Sequence, residues 1–222
     1  IGSGSISGSY KSKNNFQKME NFGFFNFNDP VSLEKKIIEY ENKGGVYAVI
    51  IEPFSATLLE SCSAEFITKL QNLKKKYNFS IICDEVYCAW YKCGKLFYFK
   101  NYDNFTPDIL TLSKSMGGGK SSISAYIANE KLHDRVYGSI DNAFLHTTTY
   151  NGFGEECATA IEAINILIEE DFQKKVNSIE SQIKENLKKI QEKFPKKIKG
   201  FKGQGALFGI EFYSPLEFFS KI

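Results

Sequence analysis

Three charged residues stand just after short apolar runs of the sequence, and their types could support chemistry. Glu52 and Asp84 each follow such a run at once, and Lys114 follows a third run after one serine. If the runs are parallel strands of an open α/β sheet, the three side chains lie at the carboxyl edge, where ligands bind. A carboxylate and an amine that meet there form either a buried ion pair or a reactive pair around a bound molecule. The residue types alone leave both interpretations open.

The elements that would position these residues alternate between strands and helices. Apolar runs predict strands at Val46–Ile51, Phe79–Cys83, Asp108–Leu112 and Ser122–Ala128. Apolar side chains spaced three and four residues apart predict helices at Val31–Tyr40 and Ser61–Tyr77. This alternation indicates an α/β domain with a largely parallel sheet.

The C-terminal third of the chain has a different pattern. From Glu155 the apolar spacing is helical until Pro195, and Gly203–Tyr213 alternates as a strand does. We therefore predict three parts: part of a large domain over residues 1–154, a long connecting helical region over residues 155–194, and the incomplete start of a small α/β C-terminal domain over residues 195–222.

The composition argues against several classes of protein. The 28 basic and 26 acidic residues nearly cancel, which argues against a protein built to bind nucleic acid. No apolar run reaches the roughly 18 residues that a membrane span needs, so no membrane segment is expected. Five cysteines without a C-x-x-C pair predict reduced thiols in a cytoplasmic protein, and two histidines without ligand spacing predict no metal site. The chain begins with Ile1 and not with Met, so we expect a fragment. The segment Ile1–Asn28 is rich in Gly, Ser and Asn, and we predict loop or sheet edge there.

Several segments around the charged residues resemble those of the class III aminotransferases. The matching segments are, in order, Ile51-Glu-Pro, Ile81-Ile-Cys-Asp-Glu-Val-Tyr, Pro107-Asp-Ile-Leu-Thr-Leu-Ser-Lys-Ser-Met-Gly-Gly-Gly, Thr149-Tyr-Asn-Gly and Phe201-Lys-Gly-Gln-Gly-Ala-Leu. They follow the order and approximate spacing of the family over most of the chain. The resemblance implies a fold type I transferase that depends on pyridoxal 5'-phosphate (PLP), similar to ornithine, acetylornithine or 4-aminobutyrate aminotransferase and lacking its N-terminal part.

The resemblance implies roles for the residues at two strand ends. Lys114 corresponds to the lysine that forms a Schiff base with the PLP aldehyde and then moves protons at the substrate. Asp84 corresponds to the carboxylate that keeps the pyridine nitrogen protonated, so that the ring acts as an electron sink. Val86 faces the same side as Asp84 in an extended chain and is expected to pack on the ring. Glu85 should point the other way and be structural.

Two further residues are assigned to the cofactor site by the same resemblance. Thr149 corresponds to a threonine that reaches the cofactor phosphate of the neighbouring subunit, which implies a homodimer with active sites at the interface. Glu52 is expected near the cofactor, where it orients its neighbours. The implied reaction is a ping-pong exchange of an amino group between an amine or amino-acid donor and an oxo acid or aldehyde.

The sequence departs from the family where relatives bind the substrate carboxylate. Lys202 stands at the position of the family's C-terminal arginine, and lysine lacks the planar fork that holds a carboxylate through two bonds. The family's Gln-Gly-Glu-Gly run after Glu-Pro is Phe54-Ser-Ala-Thr-Leu here, which offers no acid. We therefore predict weak carboxylate recognition by Lys202 and an apolar substrate channel shaped by Phe54, Tyr87, Trp90 and Tyr91.

Two alternatives remain beside the aminotransferase. A PLP-dependent aminomutase of the same fold would use the same lysine and aspartate. A non-catalytic homologue or assembly subunit could keep the fold. The changed arginine positions, at Lys202 and at the lysine of Ala89-Trp-Tyr-Lys-Cys-Gly, favour it, whereas the intact Asp84, Val86 and Lys114 oppose it. A visible absorption spectrum would identify the non-catalytic homologue, because the lysine-bound cofactor is yellow.

Overall fold

The computed structural model describes residues 22–213 of the chain. Its helices are α1 (Pro30–Glu41), α2 (Ala64–Tyr77), α3 (Glu130–Tyr137), α4 (Gly154–Glu169) and α5 (Phe172–Lys193). Its strands are β1 (Ala48–Ile51), β2 (Phe54–Ser55), β3 (Glu60–Ser61), β4 (Ser80–Asp84), β5 (Ile109–Leu112), β6 (Ala125–Ala128), β7 (Ile198–Gln204) and β8 (Leu207–Phe212). Short 3-10 helices lie at Tyr98–Asn101, Lys114–Gly117 and Ile140–Asn142. Most of the loop or sheet edge predicted at Ile1–Asn28 lies outside the described residues.

A four-stranded sheet forms the centre of this part of the chain, in the order β1-β4-β5-β6. β1, β4 and β5 are parallel, and β6 runs antiparallel to β5. A parallel return needs a long crossover, usually with a helix. The chain between β5 and β6 holds only the 3-10 turn Lys114–Gly117 and irregular segments, so it returns antiparallel. The predicted α/β fold with a mostly parallel sheet is confirmed, and β6 is its antiparallel member.

Helices α1 and α2 pack on the sheet, and both begin at caps that the sequence encodes locally. Asp29 accepts hydrogen bonds from two backbone N–H groups of the first turn of α1, and Pro30 is the first residue of that helix. Ser63 caps α2, which ends at Asn78 in the left-handed conformation. The buried residues of the two helices are Leu33, Ile37, Phe66, Ile67, Leu70 and Leu73. Burial of each such side chain contributes roughly 1.5–3 kcal/mol to stability.

The apolar core has two parts. The larger cluster joins α1 and α2 to β1, β4 and β5. The smaller cluster consists of Phe54, Cys88, Cys93 and Tyr98, and Leu207 packs against it. Because Leu207 belongs to β8, the smaller cluster attaches the C-terminal hairpin to the rest of the chain.

The region after Glu155 differs from its prediction at two points. The helical region is interrupted at Asp171, which has φ 47° and caps α5 by accepting a hydrogen bond from the Lys174 backbone. β7 and β8 form an antiparallel hairpin, so the single strand predicted at Gly203–Tyr213 is wrong. Gly205 lies between the two strands with φ 63°, a turn conformation that alternating hydrophobicity does not reveal. The predicted domain boundaries stay predictions.

Three observations on residues 22–213 bear on the class of protein. No helix in this range is long and apolar enough to cross a membrane. No group of three or more His, Cys, Asp or Glu side chains in this range could hold a metal ion. The five cysteines are free, and four of them are buried.

Candidate active site

Asp84 is the last residue of β4, and one of its carboxylate oxygens is buried without a partner. The residue is 3% exposed. Oδ1 accepts hydrogen bonds from the Val86 backbone N–H at 3.1 Å and from the Thr111 hydroxyl at 3.3 Å. Oδ2 is buried, and no donor among the described residues reaches it. An unsatisfied buried acceptor costs free energy unless a ligand supplies the donor.

The surroundings of Asp84 favour a cationic ligand. Burial raises the pKa of Asp84 above its ordinary value, and the charge of Glu52 raises it further. Hydrogen bonds from Val86 and Thr111 and the charge of Lys114 lower the same pKa, but their effect is the smaller one. A protonated ring nitrogen at Oδ2 would supply both a hydrogen-bond donor and a positive charge. The residues present therefore fit the pyridinium nitrogen of PLP.

Lys114 begins the turn after β5, and its side chain is exposed at a cleft. The cleft has a volume of about 300 Å³ and is lined by Ser113, Lys114 and residues 121–124. The backbone of Lys114 has φ 52°, a left-handed conformation that is strained for a residue with a side chain and is frequent at functional sites. Because β4 and β5 are parallel and Asp84 lies opposite Thr111, Lys114 leaves the same edge of the sheet as Asp84.

Glu52 and Val86 lie beside Asp84. Glu52 is 4% exposed, and its Oε2 accepts a hydrogen bond from the Ala56 backbone at 2.8 Å, which fixes the loop after β1. Ile51 pairs with Cys83 in the parallel register of β1 and β4, so Glu52 and Asp84 lie side by side at the ends of the two strands. Val86 is partly buried and holds Asp84 through its backbone N–H. The structure thus brings Glu52, Asp84, Val86 and Lys114 to one edge of the sheet.

Glu85 is fully buried and points away from that edge. Its two carboxylate oxygens accept hydrogen bonds from the backbone N–H groups of Tyr98 at 2.5 Å and Phe99 at 2.7 Å. These bonds hold the start of the 3-10 helix Tyr98–Asn101, as expected for a structural residue. Burial raises the pKa of Glu85 to about 7, although the two hydrogen bonds oppose that shift.

The loop after β4 has an unusual backbone at two adjacent residues. Trp90 and Tyr91 have φ 63° and 62°, so two side-chain-bearing residues in succession are left-handed. Trp90 is 5% exposed and packs on Phe97. Phe54, also predicted to line a substrate channel, is 2% exposed and packs on Tyr98. Trp90 and Phe54 therefore lie in the apolar core, and the predicted substrate channel stays a prediction.

Lys92 lies in the same loop and was not singled out by the sequence. Its Nζ lies 5.6 Å from the centre of the Tyr87 ring, and the residue is half-buried. Burial lowers the pKa of Lys92, and the charge of Lys114 contributes to the same shift. The available signal was that Lys92 is the one charged residue between Glu85 and Lys95.

Lys202 lies in β7 between two acidic side chains. Its Nζ is 2.7 Å from Glu60 Oε1 and 3.3 Å from Glu211 Oε1. Hydrogen bonds to these two carboxylates raise the pKa of Lys202. No local pattern indicates the pairing with Glu60, because that residue precedes Lys202 by 142 residues. A substrate carboxylate at Lys202 would therefore compete with two acids of the protein.

Thr149 lies on an exposed segment that is separate from the other candidate residues. Residues 143–153 are all exposed, and they include Phe144 at 81% and Tyr150 at 77%. The described contacts join Thr149 to none of Glu52, Asp84 or Lys114. The predicted contact of Thr149 with a neighbouring subunit stays a prediction.

Comparison with protein families and curated proteins gives concordant matches. A sequence model of the family "Aminotransferase class-III" matches residues 4–221. An uncharacterized aminotransferase of Schizosaccharomyces pombe is 32% identical over 148 residues, which cover 67% of this chain and 30% of that protein.

Solved structures agree with these matches. The ornithine delta-aminotransferase of Plasmodium falciparum is 28% identical with a TM-score of 0.73, and the match covers 90% of this chain and 49% of that one. The ornithine aminotransferase of Toxoplasma gondii, whose structure has partial occupancy of PLP at its active site, is 25% identical with a TM-score of 0.77, covering 92% and 46%. The chain thus spans about half the length of these solved relatives.

Proposed function

Since this chain belongs to the class III aminotransferases, a family that depends on PLP, we propose that its protein is an aminotransferase in which Asp84 and Lys114 hold the cofactor. The observation that carries the proposal is Asp84 Oδ2, buried without a donor at the sheet edge that Lys114 also leaves. A structural ion pair would instead have joined the two side chains directly. No such pair exists among the described residues, so Asp84 Oδ2 stays available to a ligand.

The residues of this edge have separate tasks in the proposed site. When bound, PLP supplies an electron sink for the bonding electrons of the substrate α-carbon. Asp84 would accept a hydrogen bond from the N–H of the pyridine ring and keep that nitrogen charged. Lys114 would hold the cofactor at its aldehyde group, and its amine would carry a proton at the substrate α-carbon. Val86 is placed two residues after Asp84 to pack on the ring, and Glu52 orients the loop beside it.

The proposed substrates are a small amine or amino-acid donor and an oxo acid or aldehyde acceptor, exchanged in ping-pong order. The neighbouring ornithine aminotransferases support this class and do not fix the donor. An aminomutase would use the same two residues. The retained, unsatisfied Asp84 weighs against a non-catalytic homologue, because an unused buried carboxylate would cost stability without a ligand.

The active protein is proposed to be a homodimer with Thr149 reaching the cofactor phosphate of the partner subunit. The exposure of Thr149, Phe144 and Tyr150 supports this, since large aromatic side chains at a bare surface are typical of an interface. A cytoplasmic location is proposed from the free, mostly buried cysteines, which a reducing compartment preserves. Fractionation of cells that express the full-length protein tests the location.

The central test is a chemical trap of the cofactor on the full-length protein. Holoprotein should absorb visible light, and borohydride reduction followed by peptide mapping should place the adduct on the peptide that contains Lys114. Lys120→Met, a neighbouring exposed lysine, is the matched control and should leave the adduct in place. An adduct on another lysine, or none in protein saturated with PLP, would overturn the proposal.

A further inference from the structure

Lys92 is a half-buried ammonium without a counter-ion. Eight other lysines in residues 22–213 pair with a carboxylate, whereas no acid in that range lies within ion-pair distance of Lys92 Nζ. Its neighbours are the Tyr87 ring and the thiols of Cys88 and Cys93. Burial raises the pKa of both cysteines, so they are neutral thiols and do not balance the charge. A partly desolvated cation without a counter-ion is costly, and an anionic ligand relieves that cost.

The backbone around Lys92 is fixed from two sides. On one side, the left-handed residues Trp90 and Tyr91 donate backbone hydrogen bonds to Leu96 at 2.6 Å and Lys95 at 3.2 Å. On the other side, the Lys92 carbonyl accepts a hydrogen bond from the Ala206 N–H at 2.8 Å. Such a backbone positions a side chain firmly, as recognition of a small ligand requires.

Contact with the C-terminal hairpin leaves little freedom for this loop. A Cβ atom at position 205 would lie 2.2 Å from the Lys92 carbonyl oxygen, so only glycine permits the approach. Gly205 also donates its N–H to Glu180 Oε2 at 2.8 Å. The turn therefore contacts both the loop that contains Lys92 and helix α5.

We propose that Lys92 binds the carboxylate of the acid substrate beside Lys114, an inference that rests on the proposed aminotransferase function. Lys92 Nζ lies 5.6 Å from the centre of the Tyr87 ring, and Tyr87 directly follows Val86 in the loop that leaves β4 at Asp84. The charge of Lys114 also lowers the pKa of Lys92, so an anion that reached both amines would be stabilised by both. Lys92 supplies a single ammonium group, which is enough to bind one carboxylate group. A phosphate, with nearly two charges and three acceptor oxygens, calls for several donors.

Lys202 is less suited to this task than its sequence position indicated. The ammonium of Lys202 already contacts the carboxylates of Glu60 and Glu211. Together, the one ammonium and the two carboxylates carry a net negative charge. A carboxylate would have to displace one of these acids. At Lys92 it would displace no ion-pair partner from the described residues.

The test compares an acid acceptor with one that has no carboxylate, on the full-length holoenzyme. Pyruvate and propanal are similar in size, and one of them carries the anion. In Lys92→Met, kcat/KM for pyruvate should fall by about tenfold or more, because a hydrogen bond to a charged group is lost, whereas propanal should change less than about twofold. Lys92→Arg should recover part of the loss with pyruvate. The matched control is Lys95→Met, in the same loop and exposed, which should change neither acceptor.

A binding measurement makes the result independent of turnover. Acetate titrated into resting holoenzyme should shift the visible band, and Lys92→Met should weaken that binding by about tenfold. PLP affinity, measured by reconstitution, should stay unchanged. If Lys92→Met weakens PLP binding and leaves acetate binding intact, the anion that Lys92 binds is the cofactor phosphate, and the inference is overturned.

The inference and the proposed function can fail separately. An adduct on Lys114 together with unchanged pyruvate selectivity in Lys92→Met would reject the inference alone. A missing Lys114 adduct would reject the function itself. Circular dichroism and the melting temperature of Lys92→Met check that the variant is folded.

Discussion

The hydroxyl of Thr111 donates to Asp84 Oδ1 at 3.3 Å across two neighbouring parallel strands. With the Val86 N–H on the same oxygen, Oδ1 is satisfied and Oδ2 is left for a ligand. The side chain therefore cannot turn to present the other oxygen without loss of two hydrogen bonds. The carboxylate is oriented before any cofactor binds, which lowers the cost of binding.

Replacement of Asp84 by asparagine should slow catalysis much more than it weakens the binding of PLP. The amide side chain would keep the shape but remove the charge that holds the proton on the ring nitrogen, so α-proton abstraction should slow by roughly 100-fold or more. Single-turnover absorbance with an amino-acid donor measures that step, and equilibrium dialysis measures PLP. Thr111→Val, which removes one bond to Oδ1 and leaves the charge, is the matched control and should have a much smaller effect. Native turnover by Asp84→Asn would show that Asp84 is not the partner of the ring.

Mixed dimers should reveal whether Thr149 acts across an interface. A Lys114→Ala subunit and a Thr149→Ala subunit are each expected to be strongly impaired as homodimers. If each Thr149 serves the partner's site, a mixed dimer has one site with both residues intact, and activity should return in a minority of sites. Subunit exchange is verified with distinct affinity tags, and Thr147→Ala, on the same exposed segment, is the control for loss of structure. Absence of recovery after verified exchange would favour a site built within one chain.

Removal of Lys202 should change substrate choice little, because Glu60 and Glu211 already neutralise it. We expect wild type, Lys202→Arg and Lys202→Ala to differ by less than about threefold in kcat/KM over a panel of mono- and dicarboxylic oxo acids. An ion pair between exposed side chains contributes little free energy, so a substrate carboxylate would gain little from Lys202. Glu60→Gln should leave Lys202 paired with Glu211 alone and should raise kcat/KM for dicarboxylic acids selectively. A wild-type preference for dicarboxylic acids that disappears in Lys202→Ala would show that Lys202 is a working clamp.

Glu85 should make stability depend on pH. Its pKa is about 7 in the folded chain and 4.5 as the ordinary value, so the folded state binds more protons between these pH values. The contribution of Glu85 to the free energy of unfolding is therefore fully present below about pH 4.5. It is lost as pH rises through about 7, and the loss is on the order of 3 kcal/mol. Urea unfolding of the apoprotein at pH 5, 6 and 7.5 measures the fall. Glu85→Gln cannot ionise and should show a flatter profile, and an equal fall in both proteins would assign it to other groups.

The sequence could predict the cofactor side of the site much better than the substrate side. Asp84 and Lys114 each follow an apolar run that predicts a strand, so the sequence close to each residue is enough to place both at one edge of the sheet. The partners of Lys202 could not be found in this way, because Glu60 lies 142 residues earlier and only folding brings them together. Lys92 was missed because its placement depends on left-handed backbone at Trp90 and Tyr91, which neither residue type signals.

The hydrogen bond from Ala206 to Lys92 also has a consequence for the order in which the chain acquires its structure. On the ribosome, roughly 5–20 residues are added each second, so the loop of Lys92 emerges several seconds or more before the hairpin turn that secures it. Asp84 and Thr111 belong to adjacent strands, Lys114 begins the turn that follows the second strand, and these residues need no such delay. The nascent chain can therefore form the strand ends that carry Asp84 and Lys114 before the hairpin turn fixes the loop of Lys92, the residue that we propose binds the acid substrate.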